Sequence, residues 1–167
     1  MRFVVVAIFF LLTACGPAGP AKTRGTPVLT PEAMVAQVRS VGLQGTDLTV
    51  APLRDPQVED LRATATQAEA RKDIVSAQAA IDLALKISVM DPDLLQWQAE
   101  LFLLKKNWAS AESFAKLSYD RGPKLGALCR RNWKTLSFAR NAKRDAAGAV
   151  AAEQQIAKCT VAPQPRY

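Results

Sequence analysis

The chain has 167 residues, with 22 Lys and Arg against 15 Asp and Glu, no histidine and three cysteines. That length suits one ordinary domain with a short extension. The lack of histidine removes the commonest general base and metal ligand, and the sequence holds neither a CxxC pair nor a glycine-rich phosphate loop after a strand, so neither an enzyme nor a metal or cofactor binder is expected.

Met1 and Arg2 precede ten unbroken apolar residues, Phe3 to Leu12. As a helix this run rises about 15 Å against a hydrocarbon core of roughly 30 Å, which is the length of a signal h-region and too short to span. Leu12, Thr13, Ala14 and Cys15 follow directly. This LTAC run resembles the lipobox of bacterial lipoproteins, a resemblance confined to residues 1–15. It implies that residues 1–14 are a signal peptide and that Cys15 becomes the first mature residue, carrying acyl chains such as palmitate. Several chains anchor firmly where one binds marginally. Gly16 stands where the enterobacterial pattern has an aspartate for inner-membrane retention, which implies the outer membrane, facing the periplasm.

Residues 15–29 are expected to be the lipidated cysteine and a flexible tether. From Gly16 to Leu29 there are three glycines and three prolines, with almost nothing to bury and a reach of at most about 46 Å. Thr30, Pro31 and Glu32 then supply an N-cap, a first-turn proline and a first-turn acid, and Met34, Val38 and Val41 share a face before Gly42 stops the helix. Residues 30–55 are thus an N-terminal helix and loop, with Leu48 to Val50 as a short extended piece. Asp55 and Pro56 start the next helix, with Val58, Leu61, Ala65 and Ala68 on one side. The carboxylate pairs at such starts, Glu59 with Asp60 and Asp91 with Asp93, fit capping and the helix dipole.

From here helices alternate with short breaks. Lys72 to Ala77 aligns with Lys106 to Ala111 at a shift of 34 residues, and the same shift leads to Arg140 and Asn141. Trp133, Leu136 and Ser137 form a W-x-x-L-small run, and Ala149 lies sixteen residues after the tryptophan. Ala111, Ser118 and Pro123 in the earlier unit, and Asp91 with Pro92 closing the unit before it, add small packing positions and terminal prolines. Period and residues together resemble the tetratricopeptide repeat over residues 56–158. The resemblance implies an all-α fold, a short solenoid of about three helical hairpins plus the N-terminal helix, with residues 159–167 as a tail. Such hairpins cannot bury their own apolar faces and stack on neighbours.

The abundant alanines between Ala63 and Ala157 allow close helix approach. Leu94, Leu95, Trp97, Leu101, Phe102, Leu103 and Leu104 cover nearly every angle of one helix, which puts it in the middle of the stack. If the last hairpin turns near Lys143, Cys129 and Cys159 lie within about 3 Å of level along it. A disulfide there fits an oxidising compartment, the alternative being two free buried thiols.

Between Arg121 and Tyr167 there are ten basic and two acidic residues. An export signal argues against nucleic acid as the partner of this patch, leaving anionic peptidoglycan, lipid head groups or an acidic protein, or a solvated face with no ligand. Tetratricopeptide modules are scaffolds or adaptors, and lipoproteins of this architecture include pilus-assembly factors and adaptors for cell-wall hydrolases. The resemblance therefore implies a protein or peptide client on the face of the first helices, with Glu100, Arg131 and Lys134 as contacts; Trp97 joins them or belongs to the core. Two other readings stand beside it. One is a basic envelope binder of peptidoglycan or lipid phosphate acting through Arg131 and Lys134, and the other is a periplasmic immunity protein.

Overall fold

The computed structural model describes residues 29–44 and 53–160. The leader with Cys15, the tether before Leu29, the stretch around Leu48 to Val50 and the tail beyond Thr160 lie outside the described residues. Those described form seven α-helices and no strand: α1 (Pro31–Gly42), α2 (Pro56–Ala70), α3 (Ile74–Ile87), α4 (Pro92–Leu104), α5 (Trp108–Arg121), α6 (Gly126–Ala142) and α7 (Ala146–Lys158). Among them no helix is long and apolar enough to cross a membrane.

Helix starts follow the local chemistry. Thr30, Asp55 and Asp91 cap α1, α2 and α4 through side-chain oxygens, each ahead of a first-turn proline whose missing N–H is not needed there. Helices α2 and α3, α4 and α5, and α6 and α7 pair as three hairpins joined by one repeated turn. In each, a residue with positive φ follows the helix: Lys72 at 61°, Lys106 at 57° and Arg144 at 67°. The next residue turns its N–H back onto the carbonyl five residues before it, Asp73 to Ala68 at 2.9 Å, Asn107 to Phe102 at 2.9 Å and Asp145 to Arg140 at 3.0 Å. Its own side chain then caps the following helix, accepting from Ser76, Ser110 and Gly148.

The third turn falls at Arg144 and Asp145, next to the Lys143 expected for the last hairpin and four residues beyond Arg140 and Asn141 at the strict 34-residue shift, because α6 has 17 residues where α4 has 13, one more helical turn. Gly42 also differs from expectation. It is the last residue of α1, with Leu43 as C-cap, and a Cβ there would meet Arg131 Cδ and Cγ at 2.9 Å. Close approach, rather than termination, is what demands glycine.

Helix α4 occupies the centre, as its apolar circumference requires. Leu94 and Leu101 pack with Val58, Ala65, Ala68, Ala77, Ala80, Ile81 and Ala84 of the first hairpin. Leu103 joins Met34, Val35 and Val38 of α1, Ala111, Phe138 and Ala139. Ala99 meets Ala115, Leu136 and Ala152 on the third side. Alanine at so many interior positions lets backbones approach, while each larger side chain buried adds roughly 1.5–3 kcal/mol of transfer free energy.

Helix α6 starts without a side-chain cap. Gly126, at φ 83°, instead donates its N–H to the Cys159 carbonyl at 2.7 Å, and the Cys129 and Cys159 sulfurs lie 2.01 Å apart, with Cα atoms 5.6 Å apart. That is the separation at which the two cysteines form a covalent bridge. Thiol titration is expected to find both sulfurs unreactive in the native chain and both reactive after reduction, with reduction lowering stability by about 3–4 kcal/mol for a loop of this length. Two reactive thiols before reduction would exclude the bond.

Candidate functional site

The first helices of the hairpins, α2, α4 and α6, make one face, and α1 lies across it against α4 and α6. Three apolar residues of α1, Met34, Val35 and Val38, are buried in this contact. Its C-terminal carbonyls are held as well: Arg130, itself 3% exposed, donates to Val41 at 3.0 Å and to Gly42 at 3.2 Å. A cation at that end also suits the helix dipole.

Charge ties α1 down at its middle. Glu100 of α4 is 0% exposed and accepts from Arg39 Nε of α1 at 2.8 Å, from Arg131 Nη2 of α6 at 2.7 Å and from Gln96 at 3.0 Å. Gln96 reaches on to the Thr135 hydroxyl at 2.8 Å. Arg39 continues to Glu69 of α2, Nη1 to Oε2 at 2.9 Å, and the Trp97 indole N–H donates to the same carboxylate. Arg131 continues to Asp93 at 3.4 Å, where Arg62 at 2.8 Å and Arg54 at 3.1 Å converge. The Arg62 guanidinium also lies 5.2 Å over the Trp97 ring. Burial alone would lower the Arg39 guanidinium, but hydrogen bonding to Glu69 and the charge of Glu100 reverse this and raise it. Arg131 follows the same pattern, with burial outweighed by Glu100 and Asp93. Both arginines therefore stay charged.

This placement changes the expected contact residues. Glu100 and Arg131 sit where the sequence put them, on the first-helix face, but they are bonded to each other; Glu100 is fully buried beneath α1, whereas Arg131 keeps an edge on an open cleft. Trp97 is half-buried, between core and surface, and lines an open cleft. Lys134 lies apart from these, bonded to Glu153 at 2.7 Å and seated over the Phe138 ring. The basic C-terminal hairpin is likewise engaged internally. Arg140 and Lys143 both bond Glu112 at 2.8 Å, joining the second and third hairpins.

What α1 leaves open is the side toward α2. One cleft of about 240 Å³ is lined by Arg39, Arg62, Thr66, Glu69, Asp93, Trp97 and Arg131. Another of about 600 Å³ runs along Glu32, Val35, Ala36, Ala70, Lys72, Ile74 and Leu104, sharing Arg39 and Glu69 with the first. The polar cleft offers fixed charges of both signs, and the longer one an apolar floor. That combination suits a protein segment with apolar side chains and a charged flank. Among the described residues no group of three or more His, Cys, Asp or Glu is placed to hold a metal ion.

The sequence carried a signal for this node that composition alone hides. Gln96 and Glu100 stand four apart on a helix whose apolar residues cover nearly every angle, so a polar stripe had to be buried among them and therefore partnered. Arg39, Glu69 and Asp93 gave no comparable local sign.

Two substitutions read these contacts. Glu100→Gln removes the charge that pairs two arginines and is expected to cost about 3 kcal/mol in urea unfolding and to speed amide exchange in α1, whereas Arg39→Ala, at a half-exposed partner, is expected to cost about 1 kcal/mol. At Glu112 burial raises the carboxyl, but the hydrogen bonds from Lys143 and Arg140 outweigh it, so the group sits below its ordinary value. Its stabilisation is therefore present above the unfolded carboxylate pKa and lost as pH falls through the lower folded value. Glu112→Gln is expected to lower Tm at neutral pH, with the difference from wild type vanishing once the folded carboxyl is protonated.

No protein-family model matches the chain, and no curated protein matches its sequence. Among solved structures it is similar to the globular C-terminal domain of LpoP from P. aeruginosa, with 28% sequence identity and a TM-score of 0.59. The likeness covers 63% of this chain and 99% of that one.

Proposed function

We propose that this chain is an outer-membrane lipoprotein, anchored through Cys15, whose three-hairpin domain binds a periplasmic protein and acts by binding rather than catalysis. The observation that carries the reading is the likeness to the LpoP domain over almost all of that domain's length. The LTAC run and Gly16 support the address, since the leader is too short to anchor by itself.

On this reading the client does not enter an open groove over Glu100, because α1 already covers it. It lies in the strip between α1 and α2, where Ala36 and Ala70 are exposed and Ile74 and Leu104 supply apolar floor. Arg39 and Glu69, held to each other, give that strip a rigid polar centre. Rigid side chains lower the ordering cost of association.

A photo-crosslinking residue placed at Ala36 or at Ala70 is expected to trap the same periplasmic protein in intact cells. The same residue at Val150, 58% exposed on α7, is expected to trap nothing above background. Absence of an adduct at both cleft positions, with the domain folded, would reject the strip as the binding surface.

A further inference from the structure

The three turns inside the hairpins carry a basic pair each: Arg71 with Lys72, Lys105 with Lys106, and Lys143 with Arg144. All six side chains are exposed. The members of each pair do different things. The first reaches back to the preceding hairpin where there is one, Lys105 to Gln78 of α3 at 2.6 Å and Lys143 to Glu112 of α5 at 2.8 Å. Gln78 and Glu112 are themselves 34 residues apart, so one inter-hairpin contact is repeated. Such links also hold the three turns together at one end of the stack.

The second member of each pair has no such role. Lys72, Lys106 and Arg144 make no side-chain hydrogen bond or salt bridge among the described residues, yet each occupies the left-handed position, with φ between 57° and 67°. Glycine or asparagine takes that conformation readily, while other side chains strain against it. A cation near a helix C-terminus is favourable, but the first residue of each pair already provides one. Three turns thus place an unpaired cation where the backbone favours glycine.

The same end is where the chain arrives from its leader. Thr30 caps α1, and Glu32 in its first turn lines one cleft with Lys72. Met34 shares a core cluster with Leu103 and Trp108 on either side of the second turn, so the start of α1 lies beside the first two turns, and the charges of Lys106 and Lys72 add to the hydrogen bonds of its own backbone N–H and the Thr30 hydroxyl in lowering the Glu32 carboxyl. Gly16 to Leu29 is the only chain between this end and Cys15, and it adds Lys22 and Arg24.

We propose that the turn end of the hairpin stack, led by Lys72, Lys106 and Arg144, seats on the anionic lipid head groups of the bilayer that carries the Cys15 anchor. The proposal rests on the lipid-anchored reading. A basic patch beside an acyl anchor is the two-signal arrangement that turns tethering into a fixed orientation, since each Lys or Arg near an anionic surface strengthens binding about fivefold.

The test uses the chain without residues 1–14 and with Cys15→Ser, so that no acyl chain contributes, sedimented at low salt with vesicles of phosphatidylglycerol and phosphatidylcholine or of phosphatidylcholine alone. Binding is expected only to the anionic vesicles, weakening with salt. The triple variant Lys72→Gly, Lys106→Gly, Arg144→Gly is expected to lose about a hundredfold in partitioning. Glycine suits the left-handed position, so this variant keeps its fold, and asparagine at the same three sites serves as a second version. Equal sedimentation of wild type and both variants would overturn the proposal. Binding to purified cell-wall sacculi but not to anionic vesicles would overturn it in favour of peptidoglycan. Palmitate labelling of the native chain reads the anchor separately: loss of label on Cys15→Ser supports it, and no label on the native chain sinks the lipoprotein reading while leaving the vesicle result to be judged by itself.

Discussion

A fully buried carboxylate on the central helix governs the arrangement of the molecule. Glu100 sits in α4 with no solvent contact, and an unpaired anion there would cost several kcal/mol. It is satisfied only when Arg39 of α1 and Arg131 of α6 both reach it. Those two arginines come from opposite ends of the chain, 92 residues apart, so the pairing selects one placement of α1 and one angle between the second and third hairpins. Apolar contact does not give that selectivity. Met34, Val35 and Val38 would bury nearly as well one turn along α6, whereas a guanidinium displaced by a turn loses its carboxylate. Buried ion pairs add less to net stability than to uniqueness when their partners are this well matched; here the uniqueness concerns where the N-terminal helix lies.

From that follows how the first-helix face works. In a stack of helical hairpins this face is the natural surface for a client, and here the chain covers much of it with its own α1. The charged side chains beneath it form a closed chain, Glu69 to Arg39 to Glu100 to Arg131 to Asp93, reaching from α2 to α6. The open clefts are left to one side, toward α2 and the start of α3, beyond the covering helix. Trp97 marks the border: its indole N–H belongs to the internal network while its ring lines the opening.

The parts of this structure legible in the sequence are those decided by neighbours along the chain. Caps, first-turn prolines and the apolar circumference of α4 all depend on residues a few positions apart, and each appears as expected. The third turn, next to Lys143 as expected, departs from the strict repeat for an instructive reason. Arg140 and Asn141 imitate Lys106 and Asn107 at the repeat distance, but a strict period assumes equal helices, and α6 is longer by a turn. The position of α1 was beyond local reading altogether. Nothing within residues 30–55 says which face that helix will meet, because the answer lies in Glu69, Glu100 and Arg131. Expecting Glu100 and Arg131 to face a client followed from their place on the first helices of their hairpins; their pairing follows from each other.

The distribution of charge completes the argument. Arg39, Arg54, Arg62, Arg131 and Arg140 are held by acidic side chains, and most of them by two. Pairs of this kind neutralise one another at short range and contribute little field at a distance. The surplus of Lys and Arg over Asp and Glu must therefore be expressed by residues outside the network, and screening limits its reach to about 10 Å, so only cations near a shared boundary act together. The turns meet that condition, since Lys105 and Lys143 link each hairpin to the one before it and bring their neighbours Lys106 and Arg144 toward the same end. The internal arginines set the shape, and the turn cations are what that shape leaves for the outside.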